Sequence, residues 1–221
     1  MTMAIRKDGI DTRDKILKAA SEVFAKKGYR NTRVADICGR AGSNVAAVNY
    51  HFGSKDALYV VVWRNAFDEA LRAYPPDGGL PPDAPAEQCL RALVHSTLHR
   101  ILGAGRLGHA GRILMREMSD PSEAIRGVLR DVIRPLRERT RMIMKRLLGP
   151  KANDRDIGFC EMSVIHQCLA MGFRRGKLPP GITKGGGKAT PDLIDDLVEH
   201  ITNFSLAGIR AVRENIVKNN R

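Results

Sequence analysis

The chain has 221 residues, of which 43% are hydrophobic and only 5% aromatic, and it carries a formal net charge of +13. That length suits one large domain or two small ones, and the basic excess favours a polyanionic partner over an acidic or neutral surface. Few aromatics and no sustained apolar–polar alternation argue against a sheet and predict an all-α protein.

The opening Met1–Gly9 is polar, unlike a signal peptide, and the longest apolar run, Ala57–Trp63, is far too short to span a bilayer. The expectation is a soluble, cytoplasmic protein with no membrane partner. Cys38, Cys89, Cys160 and Cys168 show no CxxC spacing, so neither a zinc site nor a disulfide framework is indicated.

The first helix is predicted over about residues 12–27. Ile16, Ala19, Ala20, Val23 and Phe24 form its inward stripe, and Gly28 closes it. Thr32 is placed as the N-cap of a short second helix with Val34, Ile37 and Cys38 on its apolar face. Gly42 supplies a left-handed residue to end that helix, and Asn44 caps the next. The third helix holds Val45, Ala47, Asn49, Tyr50 and His51, side chains that are short or polar at the tip. Such a helix builds a poor core and lies well against DNA, so the pair reads as a helix-turn-helix with its recognition helix visible.

Charge distribution supports that reading. Residues 1–55 hold eleven Lys/Arg against five Asp/Glu, a net of +6, while a net of +7 is spread over three times that length in the remainder. Arg6, Lys7 and Arg13 suggest a basic N-terminal arm that enters the minor groove or lies on phosphates.

At these residues the chain resembles the TetR family of transcriptional regulators. The resemblance rests on Gly28-Tyr29, Thr32, Ala41-Gly42 and Tyr50-His51-Phe52-Gly53-Ser54-Lys55-Asp56-Ala57-Leu58, and it covers roughly residues 12–60. It implies an all-α fold of about nine helices, with a DNA-binding head at 1–54 and a helical ligand-binding and dimerisation domain at 55–221. It also implies that Tyr50, His51 and Lys55 grip the DNA backbone. Arg33, beside the N-cap of the second helix, is placed to reach another phosphate, and Phe52 is expected to pack inside. Two departures stand out. Ser43 replaces a usually apolar residue, and Val45-Ala46-Ala47 replaces a commoner polar-Gly-Thr run. Both bear on which bases are read.

Base reading is assigned to Ser43, Asn44, Val45, Ala46, Ala47 and Asn49. Val45 and Ala47 offer methyls to the thymine methyl, and Asn49 can pair with adenine. The helix lacks Arg and Lys, hence strong guanine readers.

Ser54 is predicted to cap a fourth helix reaching about Tyr74, followed by a break at Pro75–Asp83. Helices follow at about 86–103 and 108–118. Asp120-Pro121 then opens a long helix to Leu148, with a kink expected at Pro135. A further helix is expected at 153–175, then a flexible glycine-rich loop at 176–189, and a last helix begins near Pro191. The order of these elements resembles the family's regulatory domain.

That half shows no nucleophile–base constellation and implies no cofactor. Arg112, Met115, Arg116, Met162 and His166 are the candidates to line a ligand pocket, since thioethers adapt to varied ligands. A mid-sized, partly hydrophobic organic effector is expected there, oriented by Arg112, Arg116 or His166. His95 and His99 lie four residues apart and could pair on a metal, but spacing dictates no third ligand, so packed or exposed histidines are the better reading and no metal is assigned.

The expected partners are double-stranded operator DNA, a small-molecule effector and a second copy of the chain, with the last two helices of each forming a four-helix bundle through Ile201 and Phe204. Rival readings are a thiol- or metal-responsive regulator, a ligand-independent DNA binder and, more remotely, a small-molecule enzyme with an ornamental basic head.

Overall fold

The computed structural model describes residues 2–103, 111, 113–118, 120–173 and 190–219, with side chains described from residue 11 onward except at residue 173. Among these residues there are helices and turns and no strand. In chain order the helices are α1 (Thr2–Lys27), α2 (Val34–Ala41), α3 (Val45–Phe52), α4 (Lys55–Ala73), α5 (Ala86–Leu102), a short α6 at 113–118, α7 (Glu123–Leu148), α8 (Asp154–Phe173) and α9 (Pro191–Asn219).

Packing divides the chain into two compact units. One is Met1–Glu69 with Ala104–Arg130, the other Ala70–Gly103 with Asp131–Arg221. This grouping differs from a division at residue 54, because α4 begins in the first unit and ends in the second, as α7 also does.

In the first unit, α1 packs on α2 and α3. Ile16, Ala19, Ala20, Val23 and Phe24 are all buried, as their helical spacing predicts, together with Ile37, Val48 and Phe52. The backbone of residues 2–11 continues α1, so the segment expected as a basic arm is helical. Phe24 and Tyr59 meet at 4.6 Å between ring centres. Tyr59 also donates its hydroxyl to Glu117 Oε1 at 2.7 Å. The other Glu117 oxygen accepts from the Ser122 N–H and hydroxyl, at 2.7 and 3.0 Å. A carboxylate buried to 3% exposure thereby has three donors, which offsets its loss of hydration.

Two expected caps move. Thr32 is buried and donates its hydroxyl to the Gly28 carbonyl at 2.7 Å, so it finishes α1 instead of starting α2. Arg33 takes the N-cap position, and the Asp36 carboxylate accepts the Arg33 N–H at 3.1 Å. Likewise α7 begins at Glu123, three residues after Asp120, and runs through Pro135 as one helix.

In the second unit, α5 packs against α8 and α9, and α8 packs on α9. Leu90, Val94 and Leu98 of α5, Met144 and Leu148 of α7, Val164 and Cys168 of α8, and Val198, Ile201 and Ile209 of α9 share one core. The four cysteines are buried free thiols, and burial pushes the Cys168 thiol up to about 12. The expected loop at 176–189 lies outside the described residues.

Candidate nucleic-acid interface

The turn between α2 and α3 follows from local chemistry. Gly42 sits at φ 63° and ψ 37°, a conformation glycine adopts without steric cost, and this stops α2. Asn44 then caps α3, its Oδ1 accepting the Ala47 N–H at 2.8 Å. Ser54 caps α4 in the same way through the Ala57 N–H at 3.1 Å.

Helix α3 has two faces. Val48 and Phe52, four residues apart, are buried, whereas Val45, Ala46, Asn49 and Tyr50 are exposed, Tyr50 to 86%. Tyr50 therefore is not a core ring; it stands free of the head beside His51, whose ring is 5.0 Å away and edge-on. His51 and Ala47 are half-buried at the margins of the exposed stripe.

Several candidates have other duties. The Ser43 hydroxyl oxygen is buried and has no hydrogen-bond partner among the described residues, so this oxygen faces inward rather than toward solvent. Its inward position accounts for the apolar residue usual there in the family. Asn44 is exposed, but its carbonyl oxygen is engaged in the cap, so only its amide group could serve a partner. Lys55 donates to the Tyr29 carbonyl at 3.2 Å and the Thr32 carbonyl at 3.3 Å. Its ammonium also lies 4.2 Å from the Tyr29 ring centre. A lysine in a first helical turn opposes the helix dipole, and these carbonyls counter that disadvantage. Lys55 thus clamps the α1–α2 turn to the start of α4. An ammonium has three protons, so one is not committed to these two carbonyls.

The same turn is fixed a second time, because the Tyr29 hydroxyl donates to Asp56 Oδ1 at 2.5 Å. Burial, then that carboxylate, push the Tyr29 hydroxyl up to about 12. Nothing in the sequence motif distinguishes these internal roles from DNA contact; only the folded turn brings Tyr29 and Thr32 to Lys55.

The cations near the motif divide into two groups. Lys27 pairs with Asp36 at 2.9 Å, and Arg40 pairs with Glu22. Lys27, then the Arg33 N–H, hold the Asp36 carboxyl below the usual range. Arg33 is exposed beside α2, and Arg13 is exposed with its guanidinium over Phe52, 5.3 Å from the ring centre. Exposed arginines around an exposed, uncharged helix face form an arrangement suited to gripping phosphates at the rim and reading bases at the centre.

The ligand candidates scatter. Arg112 lies outside the described residues. Met115 is buried in the first unit, where Arg116 donates to the Lys26 carbonyl at 2.9 Å. Gly28 sits against that guanidinium at φ 80°, and a Cβ there would come within 2.7 Å of Arg116 Nη1. Arg116 is therefore an anchor at the end of α1. Met162 and His166 are exposed on α8, with His166 Nδ1 2.8 Å from the Met162 carbonyl. They share the outer surface with exposed Phe159, not an interior cavity.

Comparison with known proteins agrees with this geometry. Residues 16–62 match the family described as bacterial regulatory proteins, tetR family, and residues 86–209 match the C-terminal domain of the HTH-type transcriptional dual regulator CecR. The HTH-type transcriptional repressor NicS of Pseudomonas putida is 34% identical over 152 residues, covering 62% of this chain and 69% of that protein. The dual regulator CecR of Shigella flexneri is 27% identical over 180 residues, covering 76% of this chain and 78% of CecR. A TetR-like transcriptional regulator from Rhodococcus sp. RHA1 shares the fold with a TM-score of 0.66 at 21% identity, over 89% of this chain and 96% of that one. With a helix-turn-helix head and a CecR-type C-terminal region matched in one chain, the protein belongs to the TetR family of DNA-binding transcriptional regulators.

Proposed function

We propose that the protein is a homodimeric repressor that reads a palindromic operator and is released from it by a small organic effector. The observation that carries the operator reading is the exposed face of α3, where Val45, Asn49 and Tyr50 project while Val48 and Phe52 hold the helix to the head. Within this reading Asn49, Val45 and Ala47 contact base edges, and Tyr50, His51, Arg33 and the remaining proton of Lys55 contact phosphates. Residues 1–54 act as the DNA-binding part and 55–221 as the regulatory part, in a protein of the cytoplasm, where its DNA is. No enzymatic step is assigned.

The dimer reading is supported by large apolar residues left exposed on the second unit. Phe159 and Met162 on α8 and Phe204 on α9 are all more than half exposed. Exposed apolar groups of this size on two adjacent helices mark an association surface. Ile201 is excluded from it, being 3% exposed in the chain's own core.

Effector release requires an element whose arrangement differs between ligand states. Within the first unit, Arg116 on the Lys26 carbonyl and Glu117 on Tyr59 tie α6 to α1 and α4. A ligand that moved α6 would bias the head through those contacts.

The test is a footprint on DNA flanking the protein's own coding region, followed by titration of the footprinted duplex with wild type and Asn49→Ala. Protection of a two-fold symmetric site is expected, and Asn49→Ala should narrow the gap between operator and random DNA by about 1–3 kcal/mol. Equal affinity of the wild type for operator and random sequence would refute the reading.

A further inference from the structure

The folded second unit supplies what the spacing of His95 and His99 does not. Both histidines lie on α5, four residues apart and hence on one face. Helix α9 runs antiparallel beside them, as the Arg91–Glu199 and His99–Asp195 pairings show, and it brings up Asp195. One ligand atom from each of His95, His99 and Asp195 falls within 4.8 Å of the other two. We propose that these three residues form a binding site for a divalent transition-metal ion, with zinc-like coordination, that pins α5 to the N-terminal part of α9.

The geometry favours a metal over a plain hydrogen bond. His99 Nε2 and Asp195 Oδ1 are 3.4 Å apart, longer than a normal N–H···O contact. Around a zinc ion with bonds of about 2.0–2.1 Å, adjacent tetrahedral ligands lie about 3.3 Å apart, which matches that separation. His95 needs only a modest side-chain adjustment to complete the set, since the two imidazole centres are 4.3 Å apart. Imidazole nitrogen with a carboxylate oxygen suits zinc, cobalt, nickel or copper better than the hard ions calcium and magnesium. Three protein ligands leave a fourth position for water.

The site has the supports a metal ligand needs. The Tyr74 ring stacks on His99 at 4.7 Å and 14°. The Tyr74 carbonyl is itself held by Arg100 at 3.0 Å. The His99 side chain is 12% exposed and so fixed in place, whereas Asp195 is 64% exposed and free to close on an ion. Glu199, the next carboxylate along that face of α9, is occupied by Arg91, which leaves Asp195 as the acid for the pair.

The experiment uses the full chain without a polyhistidine tag, stripped with chelator and titrated with Co(II), read by its visible d–d absorption, then by displacement with Zn(II). One Co(II) per chain is expected, with a higher melting temperature in Zn(II) that chelator reverses. Asp195→Asn, which alters an exposed side chain and leaves the core intact, and His99→Gln should each weaken Co(II) binding about tenfold or more. No visible band in the wild type would overturn the site. So would unchanged affinity in Asp195→Asn and His99→Gln, or a thiolate charge-transfer band, which would move the metal to the cysteines. The assay reads free protein, so the site stands or falls independently of the operator reading.

Discussion

Replacing Lys55 by Met tests both the clamp seen in the structure and the proposed phosphate contact, because Met keeps the aliphatic stem and removes the charge. Lys55 makes two charge-assisted bonds to the Tyr29 and Thr32 carbonyls, at 3.2 and 3.3 Å, and one cation–π contact. A hydrogen bond to a charged group contributes about 1.5–3 kcal/mol at best. These are long and only partly buried, so each is set near the low end or below it, and the ring contact adds about 0.5–1 kcal/mol. The loss should total about 2 kcal/mol of stability, or a melting temperature lowered by about 4–8 °C for a chain of this size. Operator and random DNA should weaken alike, and the slope of log affinity against log salt should flatten by about one unit. Thermal unfolding followed by circular dichroism, together with DNA titrations at several salt concentrations, reads both. An unchanged melting temperature would refute the clamp, and an unchanged salt slope would refute the phosphate contact.

Phe204→Asp should give a folded monomer with lost operator affinity, by sedimentation and DNA titration, whereas Ile201→Asp should fail to fold because it buries an unpaired charge. A monodisperse Phe204→Asp dimer would remove that residue from the interface. Glu117→Ala leaves the Tyr59 hydroxyl and both Ser122 donors without their acceptor, and should cost about 3–5 kcal/mol in denaturant unfolding. A loss below about 1 kcal/mol would show that water replaces the carboxylate. Burial raises the Cys168 thiol from its ordinary 9.0 to about 12, so the unfolded chain releases that proton first. This part of the stability is present below pH 9 and is lost as pH rises toward 12, and Cys168→Ala should flatten the decline. In the native protein at neutral pH, Cys168 should resist thiol reagents, and rapid labelling would favour a thiol sensor.

The sequence by itself determined the elements whose causes lie within a few residues. Gly42 ends α2, Asn44 and Ser54 cap their helices, and the Ile16–Phe24 stripe is buried, because capping and helical periodicity are local. Local chemistry was ambiguous where one residue had two neighbours to serve. Thr32 precedes α2 but bonds backward to Gly28, since both helix ends lie within its reach. Tertiary structure alone decided which apolar residues are covered. Ile201 and Phe204 are three apart on α9 and similar in character, yet Ile201 is buried in the core shared with α5 and α8 while Phe204, at the margin of that stripe, is exposed. It alone placed Arg116 on the end of α1 and carried Asp195 to His95 and His99. Those contacts join residues about ninety or more positions apart. Spacing along a chain holds no record of such distances until the helices dock.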